Sequence, residues 1–364
     1  MKKKIVLTVT NDLSYDQRMQ RICRSLSNAG YEVELAGRVL QNSASLKEEP
    51  YRQKRVRCIF NKGKLFYAEY NLRLFFYLLF QNFDAVCAVD LDTIASAFIA
   101  GKLKHAKLVY DAHEFFTEVP EVIRRSAVKR IWQWVERQFA PKADLAYTVS
   151  GSLAELFQQR LSKPFQVIRN LPYKQIDDNT EANRQSYLLY QGALNEGRGL
   201  ENLLTAMQQL NCKLKIAGEG DLSEQLRAMA KTLDVENKVE FLGYLPPDKL
   251  KEVTRKAAIG INLLERTGDS YYYSLANKFF DYVQAMVPQV CIDFPEYRKV
   301  NEQHQVAVLT KSTSPHEIKN AVERLLNDNS LYSQLQKNCR ACAGELNWEN
   351  EEKKLLLLYE QLFR

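Results

Sequence analysis

The sequence predicts an α/β protein built as two parallel-sheet domains. Three observations carry that expectation. Residues 5–10 form an apolar strand, residues 17–29 a helix closed by Gly30, and residues 31–37 a second strand; such a β-α-β opening calls for a parallel sheet. The same alternation restarts at residues 187–191, after a polar linker over 174–186. The 364 residues are enough for two domains of ordinary size.

The composition, 46% hydrophobic and 26% charged, is that of a globular chain. A net charge of +7 suits anionic substrates or an anionic membrane surface, and there is no nucleic-acid motif. The first apolar run ends at Asn11 and Asp12, too short for a signal-peptide core, and reads as a strand. No window is long enough to span a bilayer. Seven scattered cysteines fit a reducing cytoplasm. Cys339 and Cys342 have CxxC spacing without a second pair or a nearby His, and read as ordinary helix cysteines.

In the first domain, the turn after the first strand runs Asn11 to Asp16 without a glycine, which argues against an NAD or FAD site. Residues 54–80 are basic first and aromatic afterwards. They read either as a solvated loop before a core helix or as a surface that rests on anionic lipid. Residues 124–137, basic with two tryptophans, repeat that choice. The strand at 83–89 ends in Asp90-Leu-Asp92-Thr93. The D-x-D triplet invites a metal, but an Asp capping the next helix is the simpler reading. The strand at 108–110 runs into Asp111-Ala-His113-Glu114, which places His113 just past the carboxyl end of a parallel strand, where open α/β sheets bind ligands. Strands at 143–149 and 165–168 close this domain.

In the second domain, the strand at 187–191 leads into a small-residue turn, Gly192 to Gly199, with one cation, Arg198, before a helix over 201–209. Such a turn is a phosphate cradle. Strands at 213–217, 239–242 and 259–263 follow, the first leaving through Gly218-Glu219-Gly220 and the second through Gly243-Tyr244. Asn277 is the expected N-cap of a helix containing Phe279, Phe280, Val283 and Met286 and stopped by Pro288. Asp281 then falls in or near the first turn. It reads either as complementing the helix dipole or, beside an anion site, as binding ribose hydroxyls. Helices at 315–327, 330–344 and 348–363 close the chain.

The stretch from Asn277 to Arg298, NKFFDYVQAMVPQV followed by DFPEYR, resembles the donor-binding helix of GT-B glycosyltransferases of family 4. The resemblance extends over nearly the whole chain, through the Arg198 turn and the Gly218 loop. It implies two Rossmann-like domains facing across a cleft: 1–172 on the acceptor side, 173–345 on the donor side, and 346–364 a helix returning to the first domain. It implies a retaining hexosyltransferase that uses a nucleotide-sugar, needs no cofactor or metal, and acts on a glycan or lipid-linked acceptor in cell-surface polysaccharide synthesis. Such an enzyme is expected in the cytoplasm, at the inner face of the membrane. His113, Arg198 and Lys278 are the implied catalytic residues. Gly192, Gly199, Gly218, Gly220, Tyr244, Tyr273, Asn277 and Asp281 join Arg198 and Lys278 in donor binding, while Asn11, Tyr15, Asp16, Arg18 and Glu114 lie on the acceptor side. Three departures stand out: no glycine in the first loop, Ala193 in place of an Arg that Lys278 would replace, and Tyr273 in place of a sugar-binding Glu. They leave two rivals, a non-catalytic binding subunit and a sugar-nucleotide epimerase.

Overall fold

The computed structural model describes every residue except 1, 15, 42 and 176–185, and the side chain of Glu121. The chain forms two compact units, Met1–Asn170 with Asn350–Arg364, and Leu171–Glu349.

The first unit runs β1 (Lys4–Asp12), α1 (Gln17–Asn28), β2 (Glu32–Arg38), β3 (Arg52–Val56), α2 (Gly63–Leu79), β4 (Ala85–Val89), α3 (Ile94–Leu103), β5 (Lys107–Ala112), α4 (Pro120–Ile123), α5 (Ser126–Phe139), β6 (Leu145–Thr148), α6 (Gly151–Leu161) and β7 (Gln166–Val167). Its seven strands are parallel, in the order β3-β2-β1-β4-β5-β6-β7. β1 and β4 are apolar and buried because helices cover both faces of a parallel sheet. β3, Arg-Gln-Lys-Arg-Val, which overlaps the basic start of the 54–80 stretch, is an edge strand, where charged side chains deter further pairing.

The second unit runs β8 (Tyr187–Gln191), α7 (Leu200–Met207), β9 (Lys213–Ala217), α8 (Ser223–Thr232), β10 (Val239–Gly243), α9 (Pro247–Lys256), β11 (Ile259–Asn262), α10 (Asp269–Tyr272), α11 (Asn277–Gln284), β12 (Gln289–Ile292), α12 (Pro295–His304), β13 (Ala307–Thr310), α13 (Pro315–Asn327) and α14 (Asn329–Glu345). Its parallel sheet has the order β10-β9-β8-β11-β12-β13. Cys339 and Cys342 are buried, unbridged residues of α14.

The last helix, α15 (Trp348–Leu362), returns to the first unit. Tyr359 is fully buried there beside Tyr31 and Tyr147, and Ser25 donates to Glu352 at 2.7 Å.

Candidate functional site

In the second unit, the loops leaving β8, β9 and β10 are joined backbone to backbone. Gly192 N–H donates to the Ala217 carbonyl, Gly218 N–H to the Gly243 carbonyl and Leu194 N–H to the Glu219 carbonyl. Two glycines allow this approach. A Cβ on Gly218 would lie 1.9 Å from the Gly192 carbonyl oxygen, and its φ of +145° already excludes most side chains. The G-x-G at 218–220 thus serves contact between loops as well as any ligand.

Helix α11 is fixed against the sheet by Tyr282, whose ring lies over Gly260 and whose hydroxyl donates to the Leu189 carbonyl at 2.8 Å. Its N-cap is Ala276, not Asn277: the backbone is still extended at Ala276, whose N–H donates to the Tyr297 hydroxyl. Asn277 is therefore the first helical residue, with an exposed side chain. Asp281, the fifth residue, lies beyond the first turn, where complementing the helix dipole is no longer its role. Met286 is not part of the helix either. It adopts the left-handed conformation after it, with Val287 N–H reaching the Tyr282 carbonyl and Met286 N–H the Val283 carbonyl, a Schellman closure.

This placement puts Lys278 inside the unit. The residue is only 8% exposed, and its Nζ sits 3.7 Å from the centroid of the Tyr190 ring. Arg198 lies over the Tyr271 ring at 4.7 Å. Lys278 Nζ and Arg198 Nε are both buried without a hydrogen-bond partner among the described residues. Burial, and then the charge of Arg198, push the Lys278 ammonium well below its ordinary range. Two cations that feel each other, with donors unused, form a site poised for an anion. Next to them, Gln191 Nε2 donates to Asp281 Oδ2 at 2.9 Å, and Thr254 donates to Gln191 Oε1 at 2.8 Å. The amide holds one oxygen of Asp281 in a fixed position.

Other expected donor residues are arranged differently. Gly199 is the left-handed N-cap of α7, and Gly192 and Ala193 are exposed. Tyr244 is 61% exposed. Tyr273 packs edge-on against Tyr272, so the ring under Arg198 is that of Tyr271, two residues earlier. Tyr190, Gln191 and Tyr271 are not among the residues expected from sequence. The only signal for Tyr190 and Gln191 is position, a Tyr-Gln pair ending a strand just before the glycine turn, and Tyr271 lies in a run of three tyrosines.

In the first unit, the carboxyl ends of β1, β4 and β5 gather a charged network. His113 Nε2 is 3.1 Å from Asp111 Oδ2, and its Nδ1 is 3.6 Å from Asp90 Oδ2. The other oxygen of Asp111 accepts from Arg18 at 2.9 Å, and Arg18 also donates to the Ile168 carbonyl. Burial alone would lower the imidazolium, but Asp111 and Asp90 outweigh it and hold His113 up to about 9. The Arg18 and His113 charges keep Asp111 below the usual carboxylate range despite its burial. Asp90, in the left-handed region at φ +58°, accepts the His113 backbone N–H at 2.8 Å. Such strain is characteristic of functional sites. Burial raises its carboxyl, offset in part by His113.

Arg18, expected on the acceptor side, is 3% exposed and bonded to Asp111. Asp16 caps α1 by accepting from Met19 N–H and also accepts from exposed Asn11. Glu114 is exposed, and Tyr15 lies outside the described residues. Asp92 does not cap α3; Thr93 is the N-cap, and Asp92 accepts from Thr10. Among the described residues, no cluster of three or more acids, His or Cys is arranged to hold a metal. The glycine-free first loop has a structural answer on the next strand: Gly37 makes room for Leu13 and the Asn11 carbonyl, which a Cβ there would meet at 2.4 and 2.8 Å.

Comparison with known proteins gives the family. Residues 17–171 match Glycosyltransferase Family 4, and residues 173–341 match Glycosyl transferases group 1. The chain is a group 1 glycosyltransferase of family 4. An uncharacterized glycosyltransferase of Methanocaldococcus jannaschii is 25% identical over 48% of this chain and 45% of its own length. The Campylobacter jejuni GalNAc-alpha-(1->4)-GalNAc-alpha-(1->3)-diNAcBac-PP-undecaprenol alpha-1,4-N-acetyl-D-galactosaminyltransferase is 27% identical over 36% of this chain and 37% of its own. This glycosyltransferase thus spans less than half the length of either curated relative in its alignment. Solved structures agree on the GT-B fold. Sucrose-phosphate synthase of Thermosynechococcus elongatus superposes with a TM-score of 0.82 at 18% identity, over 100% of this chain and 99% of that one. Anabaena HepE in complex with UDP and glucose gives 0.78 at 14% identity, over 98% and 99%. A putative UDP-N-acetylglucosamine 2-epimerase of Listeria monocytogenes superposes less well, with a TM-score of 0.66 at 13% identity over 100% and 97%.

Proposed function

We propose that the chain transfers a hexosyl group from a nucleoside-diphosphate sugar, with retention and without a metal, to a glycan or lipid-linked acceptor in cell-surface polysaccharide synthesis. The observation that carries this reading is the pair of tyrosine-stacked cations, Arg198 and Lys278, whose buried donors have no partner among the described residues. The diphosphate accepts from both. As the sugar leaves, charge builds on the diphosphate, and fixed cations in a dehydrated site stabilise that charge most where it develops. Two protein cations here meet the demand that a divalent metal meets elsewhere. Asp281, held by Gln191, accepts from the ribose hydroxyls. His113, positively charged between Asp90 and Asp111, contacts the transferred sugar and favours electron-rich oxygens. The solved complex of HepE with UDP and glucose and the undecaprenol-linked acceptor named for the C. jejuni relative support the donor and acceptor classes.

A panel of UDP, GDP and their sugars, read by unfolding midpoint, tests the donor site. A true ligand at a hundredfold its Kd stabilises by about 2.7 kcal/mol, and a flat panel refutes the reading. Turnover that survives EDTA supports metal independence, and complete loss overturns it. The binding-subunit alternative draws on Ala193 and Tyr273, which stand where the family resemblance calls for Arg and Glu. Acceptor-dependent release of free nucleotide would exclude it.

A further inference from the structure

Strongly exposed large apolar side chains are concentrated in one part of this protein. Fourteen occur among the described residues, and ten of them lie on α2, α3 and α5 or in the segments flanking α2. Single exposed apolar residues are ordinary; a concentration is not.

The three helices pack side by side. α2 contacts α3 and α3 contacts α5. Tyr67 of α2 meets Trp132 of α5 edge-on at 5.3 Å, and Phe98 of α3 meets Phe139 of α5 at 5.4 Å. α2 and α3 each bury one stripe and expose another, while α5 fully buries only Glu136. On α2 the exposed stripe is Leu65, Leu72 and Phe76, continued by Phe80 at its C-cap, at spacings of seven and four residues. α3 contributes Ile99 and Leu103, and α5 contributes Ile131 and Trp134. Phe80, 84% exposed, and Ile59, 76% exposed, mark the two ends of α2.

Charge identifies the occupant. The three helices contain two acids, Glu69 and Glu136, and six basic residues, of which Arg73 and Lys129 are committed to Glu69 and Glu118; the other four, Lys64, Lys102, Arg130 and Arg137, are exposed. Both acids are neutralised within the protein: Glu69 accepts from Arg73 and from the Ile59 and Phe60 N–H groups, and Glu136 is buried against Arg160. Lys142 lies over the Phe98 and Phe139 rings at the end of the belt. An apolar stripe flanked by cations, with no unneutralised acid on its helices, matches the boundary between acyl chains and anionic headgroups. No helix among the described residues is long and apolar enough to cross a membrane, so the belt lies on a bilayer rather than through it.

We propose that the α2–α3–α5 face of the first unit docks on an anionic lipid bilayer, with the exposed stripes inserted and the basic side chains among the headgroups. The surface joins into one face the two basic-aromatic stretches visible in the sequence and adds α3, which neither stretch includes. It rests on exposed side chains of one unit and is independent of the donor-site reading, so a chain that transfers sugar but ignores vesicles would sink this proposal alone.

The test is co-sedimentation of the full chain with vesicles of phosphatidylcholine alone or mixed with phosphatidylglycerol. The chain should pellet with the anionic vesicles, and less so as salt rises. The triple variant Leu72→Glu, Phe76→Glu, Phe80→Glu should lose about tenfold or more of that partitioning while keeping its unfolding midpoint and nucleotide response, since all three side chains are exposed. Wild-type chain that stays in the supernatant, or a variant that binds as well as wild type, overturns the proposal. So does a belt that pairs two copies: a wild-type dimer by light scattering, converted to monomer by the triple variant and indifferent to vesicles.

Discussion

Replacing Lys278 by Met should stabilise the free protein and weaken it as a nucleotide binder, a reversal that few surface contacts produce. In the wild type, the ammonium is 8% exposed, stacked on Tyr190 and without a hydrogen-bond partner among the described residues. A buried polar group in that state costs about 1–3 kcal/mol, and Met fills similar volume without the cost. The free variant should therefore resist urea by about that much more. The loss appears on adding nucleoside diphosphate. A charge-assisted hydrogen bond contributes about 1.5–3 kcal/mol, so affinity should fall about tenfold to a hundredfold. At a ligand concentration a hundredfold above the wild-type Kd, wild type gains about 2.7 kcal/mol, and the variant should gain about 0.4 to 1.4. Proton linkage gives a second measure. Lys278 has a folded-state pKa below its ordinary 10.5, so between those two values the unfolded chain binds more protons, and stability of the free protein rises with pH. A bound diphosphate restores the ammonium and takes up a proton, so affinity falls as pH rises through the same window. Calorimetry in buffers of different ionisation heat reads that uptake directly. A variant less stable than wild type when free, with unchanged nucleotide stabilisation, would refute this account of the site.

Two further outcomes follow from the geometry. His113, held up to about 9 by Asp111 and Asp90, is cationic at neutral pH. Its ring proton resonances should titrate above pH 8, and Asp111→Asn should bring the midpoint down, whereas a midpoint near 6.5 in wild type contradicts the network. Because the folded-state pKa is raised, the stability His113 contributes is fully present below pH 6.5 and is lost as pH rises through about 9. Gly218→Ala places a Cβ 1.9 Å from the Gly192 carbonyl. It should cost about 3 kcal/mol or more, measured by urea denaturation, and abolish nucleotide-induced stabilisation by parting the two loops.

The fold was legible because its signals are local and redundant: apolar strands, helix ends and a polar linker that all agree. The edge strand β3 was not, because an edge position selects charges that look like a loop. In the site, Arg198 and Lys278 could be named from turn chemistry and from the family resemblance, but not their platforms. Tyr190 lies at the end of an apolar strand and Tyr271 in a run of three tyrosines, and only packing distinguishes a ring under a cation from a ring in the core. Likewise, nothing in the spacing of Arg18 and Asp111, 93 residues apart, announces their contact. That long-range pair places Arg18 behind Asp111, the carboxylate that also holds His113.

The choice of tyrosine under both cations has a physical logic. A carboxylate beside Lys278 would hold it charged, but would also occupy its donors and repel the incoming diphosphate. A ring face attracts the cation through its quadrupole and accepts no strong hydrogen bond from it. Lys278 is thus kept inside the unit with its donors unused and its charge depressed by burial and by Arg198, until an anion arrives. The site then responds most strongly to the ligand with the greatest concentrated negative charge. In the proposed reaction that is the departing diphosphate rather than the intact donor, which is the condition for lowering the barrier rather than merely tightening substrate binding.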